Sequence, residues 1–167
     1  MSREYKSITH PFEPIWDNNS EILILGTMAS VSSRESGFYY GHPKNKFWTV
    51  IADITKNAVP VTADEKRGLL LRNRIALWDV VKSCEITGSD DNSIRNVIAN
   101  DLSEIFEYSK IEKIYTNGRK ADALYKKYLK TGIESICLPS TSPANAAWNT
   151  ERLTEAWRDA IAFIQKK

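Results

Sequence analysis

Glu21-Ile22-Leu23-Ile24-Leu25-Gly26 is a short, almost continuous apolar run that stops at a glycine. Such a run reads as a strand buried on both faces, the kind found inside parallel sheets. Three further runs of the same kind lie downstream, at residues 75–81, 113–116 and 134–138. Between them the spacing turns helical. Phe47, Trp48, Ile51, Ala52 and Ile54 share a face over 45–55. Thr62 with Glu65 three residues on makes a capping-box start for a helix over 62–74. Helices are also predicted over 100–108, with Leu102, Ile105 and Phe106 inward, over 119–129, and over 150–165, with Leu153, Trp157, Ile161 and Ile164 on one side. Residues 1–20 read as an irregular arm, anchored by Thr9-His10-Pro11-Phe12 and Pro14-Ile15-Trp16. Strands alternating with amphipathic helices, and no internal repeat, predict an α/β sandwich on a mostly parallel sheet of about four strands.

The composition agrees with one such domain over residues 1–167. Its 42% hydrophobic and 26% charged residues are ordinary for a globular chain. No apolar run approaches the ~18–20 residues that cross a bilayer, and the first residues lack an apolar signal core. The expectation is a monomer that stays in the cytoplasmic compartment where it is made. Two cysteines, Cys84 and Cys137, are too few for a Cys₄ metal site, and His10 and His42 show no ligand spacing with them. No metal and no cofactor are expected. A net charge of +2 decides nothing by itself, since an enzyme gripping a few phosphates can be near-neutral overall.

Four loops follow the four strands, at residues 27–43, 82–92, 117–118 and 139–145. In open parallel sheets the ligand site lies at the strand C-termini. These loops also hold the odd residues. The densest is Gly37-Phe38-Tyr39-Tyr40-Gly41-His42-Pro43-Lys44-Asn45-Lys46-Phe47-Trp48. It is too rich in turn formers for a strand and too aromatic for an ordinary surface loop. It reads as one wall of a pocket for a flat, polar ring.

At this point the chain resembles the uracil-DNA glycosylase superfamily, and within it the hypoxanthine-DNA (deoxyinosine) glycosylase branch. Five segments in order carry the resemblance. Leu25-Gly26-Thr27-Met28-Ala29-Ser30 comes first. The 37–48 stretch is similar to the Y-Y-G-H-P-x-N-x-F-W signature of that branch. Trp78-Asp79-Val80-Val81-Lys82, Asn117-Gly118-Arg119-Lys120-Ala121 and Leu138-Pro139-Ser140-Thr141-Ser142-Pro143-Ala144-Asn145 follow. The resemblance implies a three-layer α/β/α sandwich and a monofunctional glycosylase that removes deaminated bases from DNA.

It also implies roles for residues. Asn45 positions the attacking water, or simply caps the helix that begins there. His42 donates to the leaving base or braces the turn beside Pro43. Tyr40 is the stacking platform for the base, unless it only packs on the core. Asp79 reads the base edge, where a carboxylate accepts the N1–H of hypoxanthine, or caps a strand end. Thr27 and Met28 stand where relatives place a water-activating Asp or Asn, so that position is empty and the backbone of the loop faces the base instead. Ser140 replaces a histidine that would stabilise the leaving base. Ser30, Ser33, Ser142, Asn145 and Lys120 are candidate DNA contacts. Ala144 stands where relatives carry a large wedge, and Lys44, Lys46, Lys82 and Arg119 complete a basic rim. A uracil- or xanthine-preferring glycosylase and a catalytically weak base-binding member remain alternatives. A nucleotide hydrolase does not, for neither a P-loop motif nor a D-x-D pair is present.

Overall fold

A computed structural model describes residues 4–88 and 90–165, the side chains of 163–165 excepted. The orientation of Ile164 and the part of Ser89 in the 82–92 loop thus fall outside the described residues. Strand β1 is Lys6–Thr9 and β2 is Ile22–Gly26. Helices α1 (Val31–Ser36), α2 (Phe47–Thr55) and α3 (Ala63–Arg72) follow. Next come β3 (Ile75–Asp79), β4 (Val81–Ile86), β5 (Arg95–Ala99) and α4 (Ser103–Tyr108). The chain ends with β6 (Lys113–Asn117), α5 (Arg119–Tyr128), β7 (Ser135–Leu138) and α6 (Thr150–Gln165).

The main sheet has the order β3-β2-β6-β7, and all three pairings are parallel. All five residues of β2 are buried, which is why its sequence is continuously apolar. Pleating sends Ile22 and Ile24 to one face, where they meet α2, α3 and α6 through Phe47, Ile51, Leu70 and Trp157. Leu23 and Leu25 go to the other face, against Ile105 of α4, Leu124 and Tyr125 of α5, and Cys84 and Ile86 of β4. The register pairs Gly26 with Asp79 and Asn117 with Leu138. All four strand ends therefore stand in one row at the C-terminal edge. Strand order reverses between β2 and β6, so the crevice there is a topological switch point.

Four expectations need correction. Residues 75–81 are not one strand. β3 ends at Asp79, where the Val80 and Val81 N–H groups turn to bond the carbonyls of Gly26 and Thr27 (2.8 and 3.0 Å). Residues 82–92 are not simply a loop, and the first 20 residues are not simply an arm. β4 pairs antiparallel with both β1 and β5 in a second, three-stranded sheet. Its strands are polar because only one side is covered: Val81, Cys84 and Ile86 point inward while Lys82 is exposed. Lastly, residues 27–43 contain α1. The Ser30 hydroxyl caps it by accepting from the Ser33 N–H (3.1 Å), and Gly37 ends it at φ +84°. Serine carries no helical periodicity, so nothing in its pattern announced a helix.

Both cysteines are free thiols, Cys84 buried and Cys137 exposed on the edge strand β7. Among the described residues no helix is long and apolar enough to cross a membrane.

Candidate active site

A cleft of about 300 Å³ opens at the row of strand ends. Its floor is Gly26, Asp79 and Asn117, and its walls come from residues 27–33, 39–45 and 140–144. The structure thus brings together Thr27, Met28, Ser30, Ser33, Tyr40, His42, Asn45, Asp79, Ser140, Ser142 and Ala144. Asn145 instead lines an adjoining, more open groove with Gly118, Arg119 and Trp148. Lys120, in the first turn of α5, lines neither.

Asn45 sits at the mouth of α2. Its Oδ1 accepts from the Phe47 N–H (2.9 Å), and its own N–H bonds the His42 carbonyl (2.9 Å). Lys46, not Asn45, holds the cap position of α2 and offers no side-chain cap bond; Asn45 stands one residue earlier, bonds a first-turn N–H from outside the helix and lines the cleft. The His42 Nδ1 accepts from the Lys44 N–H (3.0 Å), so the neutral ring carries its proton on Nε2. Bracing the turn with one nitrogen leaves the other as a donor.

Tyr40 is held at φ +54°, a left-handed conformation that costs a bulky residue about 1–3 kcal/mol. One ring face is stacked on Phe47, with centroids 4.2 Å apart. Its hydroxyl is buried at the floor, and its proton has no acceptor. Asn117 lies close: its Nδ2 donates to Thr141 Oγ1 and its Oδ1 accepts from the Thr141 backbone N–H, each at 3.0 Å, which leaves a second Nδ2 hydrogen beside the Tyr40 oxygen. Burial, then the charge of Asp79, push the Tyr40 phenol far up against an opposing contact from the Asn117 amide, so it stays a donor.

Asp79 is the most constrained group. The imidazole of His10 contacts its Oδ2 at 2.5 Å, and both side chains are almost wholly buried. His10 lies just past the end of β1, held where its N–H bonds the Lys82 carbonyl (2.6 Å). The sequence offered only a histidine in an apparently irregular arm, and no spacing linked it to a residue 69 positions away.

Several expected DNA contacts are partly committed to the protein itself. The Ser33 hydroxyl accepts from the Gly41 N–H (3.0 Å) and Ser30 caps α1. Asn145 donates to the Ser140 carbonyl (2.9 Å), and the Ser142 hydroxyl accepts from the Ala144 N–H (3.2 Å). Lys46 donates to the Trp148 carbonyl (2.7 Å) and ties α2 to the last loop. These bonds shape the walls.

Asp91 was also missed by sequence reading. It opens a single 3-10 turn, Asp91–Ser93, and lines both cleft and groove. Desolvation, then the charge of Asp79, raise its carboxyl to about 6, with Lys120 opposing and Asp90 adding to the rise. The native state therefore binds this proton more tightly than the unfolded chain. The stability this contributes is complete below the ordinary value of 3.8 and is lost as pH rises through about 6. Asp91 keeps an exposed side, so water screens much of the repulsion. Asp91→Asn is expected to raise Tm by about 2 °C near pH 7.5 and by less near pH 4. A calorimetric scan at the two pH values checks this, and a fall near pH 7.5 would mean the carboxylate is favourably partnered.

Among the described residues no group of three His, Cys, Asp or Glu is placed to share a metal ion.

Residues 14–161 match the family model of the uracil DNA glycosylase superfamily. A hypoxanthine DNA glycosylase of Methanosarcina acetivorans is 37% identical over 150 residues, spanning 89% of this chain and 95% of the relative. A hypoxanthine DNA glycosylase of Methanosarcina barkeri is 34% identical over 137 residues, spanning 80% and 86%. A solution NMR structure from M. acetivorans, described as a candidate uracil DNA glycosylase, superposes with a TM-score of 0.80 at 35% identity. It covers 94% of this chain and 98% of its own.

Proposed function

The chain belongs to the uracil DNA glycosylase superfamily, and we propose that within it the protein is a monofunctional glycosylase hydrolysing the N-glycosidic bond of deaminated bases in DNA, hypoxanthine in deoxyinosine foremost. The observation that carries the residue-level reading is the meeting of Asn45, His42, Tyr40 and Asp79 in one cleft at the strand ends. A flipped nucleotide enters there. Tyr40 and Asp79 hold the base, and the Asn45 amide holds a water against C1′. The C1′–N bond breaks with its electron pair going to the base. The water oxygen bonds C1′ and gives up its proton, and the base leaves protonated. His42 Nε2–H and backbone N–H groups of residues 27–29 face the charge that builds on the base. The residues lining the cleft include no lysine that would form a Schiff base, which supports hydrolysis without strand cleavage.

Uracil presents its N3–H between two carbonyls, whereas hypoxanthine presents N1–H between one carbonyl and a C–H. A single fixed carboxylate therefore meets less repulsion from hypoxanthine. The protein is read as a metal-independent monomer acting in base excision repair, in the compartment that holds the DNA.

Oligonucleotides carrying one deoxyinosine, deoxyuridine or deoxyxanthosine, in single strands and duplexes, test this after alkaline cleavage of abasic sites. Hypoxanthine release is expected to be fastest. No abasic product from any of the three leaves only base binding without cutting. Uracil release about tenfold faster than hypoxanthine removes the base preference but keeps the reaction.

A further inference from the structure

We propose that the cleft floor reads a lactam edge with a matched donor and acceptor: the Tyr40 hydroxyl donates to the base carbonyl, and Asp79 Oδ1, held in place by His10, accepts the adjoining ring N–H. This rests on the glycosylase reading above and deepens it, giving Tyr40 a role through its hydroxyl and His10 a role as a positioning residue.

The Tyr40 hydroxyl and Asp79 Oδ1 converge on one point. A methyl group built on Gly26 would lie 2.9 Å from the hydroxyl and 2.3 Å from Oδ1. The hydroxyl is buried, and although the Asn117 amide approaches its oxygen, its own proton has no acceptor. A buried donor left unmade is costly, so its retention calls for a partner that arrives with the substrate. Tyr40 cannot swing away to find one, because Phe47 is stacked behind it.

The acceptor is fixed by His10. The His10 Nδ1 lies 3.2 Å from the Phe12 N–H and 3.0 Å from the Phe12 carbonyl. If Nδ1 accepts from Phe12, the single ring proton is on Nε2 and donates to Asp79. If the ring is doubly protonated, Nδ1 donates to the carbonyl and Nε2 still donates to Asp79. The remaining tautomer would set a lone pair against a carboxylate oxygen at 2.5 Å, which the contact forbids for an ionised Asp79. Either permitted state occupies Oδ2 and leaves Oδ1 as an acceptor toward the cleft.

Hypoxanthine offers O6 as acceptor and N1–H as donor, the complement of this pair. Adenine reverses both signs at the same two positions, with an N6 amine and an N1 lone pair. A site built around a substrate N–H rejects the analogue lacking it far more strongly than shape alone does. Guanine shares the lactam edge and differs at C2, so its refusal falls to the wall that faces C2.

The test is single-turnover release from duplexes carrying hypoxanthine, adenine or unsubstituted purine, which keeps the ring but lacks both O6 and N1–H. Tyr40→Phe keeps the ring face and removes only the hydroxyl. It is expected to leave Tm unchanged or slightly higher and to slow hypoxanthine release about tenfold, with purine release unmoved. His10→Phe is expected to slow hypoxanthine release about tenfold or more, and His10→Gln, which returns an N–H near the Nε2 position, to recover most of it. A Tyr40→Phe enzyme with the wild-type rate overturns the assignment and leaves the ring as a platform only. So does a His10→Phe enzyme that slows hypoxanthine and purine equally, the mark of a merely structural histidine. Should His10→Phe not fold, long-range ¹H–¹⁵N spectra of the wild type decide: an unprotonated Nε2 overturns the proposal. A wild-type enzyme that releases no hypoxanthine overturns the base reading and this assignment together.

Discussion

Asn45→Ala is expected to slow single-turnover hypoxanthine release by about 100- to 1,000-fold, the usual loss when one polar group aimed at the reacting centre is removed. Affinity for the same duplex should stay within about threefold if Asn45 acts on the water rather than on the strand. Two effects are folded into that variant. The Asn45 Oδ1 also holds the Phe47 N–H at the start of α2, and losing such a hydrogen bond costs about 1 kcal/mol. Asn45→Asp separates them. A carboxylate accepts that N–H as well as an amide does and can still hold a water, so Tm and part of the rate should return together. Retention of the wild-type rate in the alanine variant would move catalysis away from the 37–48 stretch altogether.

Gly26→Ala should be the more damaging change, although it adds one methyl group and removes no functional side chain. Its backbone is not in the left-handed region, so conformation is not the issue. Space is. The new Cβ would stand 2.3 Å from Asp79 Oδ1 and 2.9 Å from the Tyr40 hydroxyl. Neither can yield: His10 pins Asp79 at 2.5 Å, and Phe47 backs the Tyr40 ring. Overpacking of this sort costs about 1–3 kcal/mol in a core, and here it also fills the floor. Excision should fall by more than about 100-fold with a measurably lower Tm. Gly68→Ala is the control. Its Cβ meets only the far end of the Arg72 side chain at 3.0 Å, and alanine within α3 favours the helix by about 0.5–1 kcal/mol. It should raise Tm and leave excision unchanged. Equal behaviour of the two variants would mean that the floor is softer than its contacts indicate.

Much of this was legible in the chain. Ile22–Gly26 reads as a doubly buried strand because it is one, and parallel strands carry their loops to a common edge. That logic pointed to the loops holding Tyr40 and Ser140, and the family resemblance added Asn45 and Asp79; all four line one cleft. What escaped was set by partners distant in sequence. His10 and Asp79 are brought together by the second sheet and by the Ile15–Leu77 bridge, and the sheet's strands are polar and short because one side faces water. Asp91 comes under the field of Asp79 by the folding of a connection with no apolar pattern. α1 is closed by serine caps and a glycine rather than by periodicity. The Tyr40 hydroxyl could be placed only once the positive φ of its own residue was known.

The bonds that close the cleft also fix when it can exist. His10 meets Asp79 across 69 residues and Lys46 meets Trp148 across 102. Lys46 N–H bonds the Thr141 carbonyl, and Trp157 of α6 donates to the Pro139 carbonyl. A chain emerging from the ribosome can pair β2 with β3 early, but it lacks one wall until residues 140–144 arrive and their anchors in α6 have folded. Such long-range closure comes late and slowly. A polypeptide lacking residues 140–144 and their anchors in α6 therefore carries Asn45 and Asp79 with the wall between them still missing.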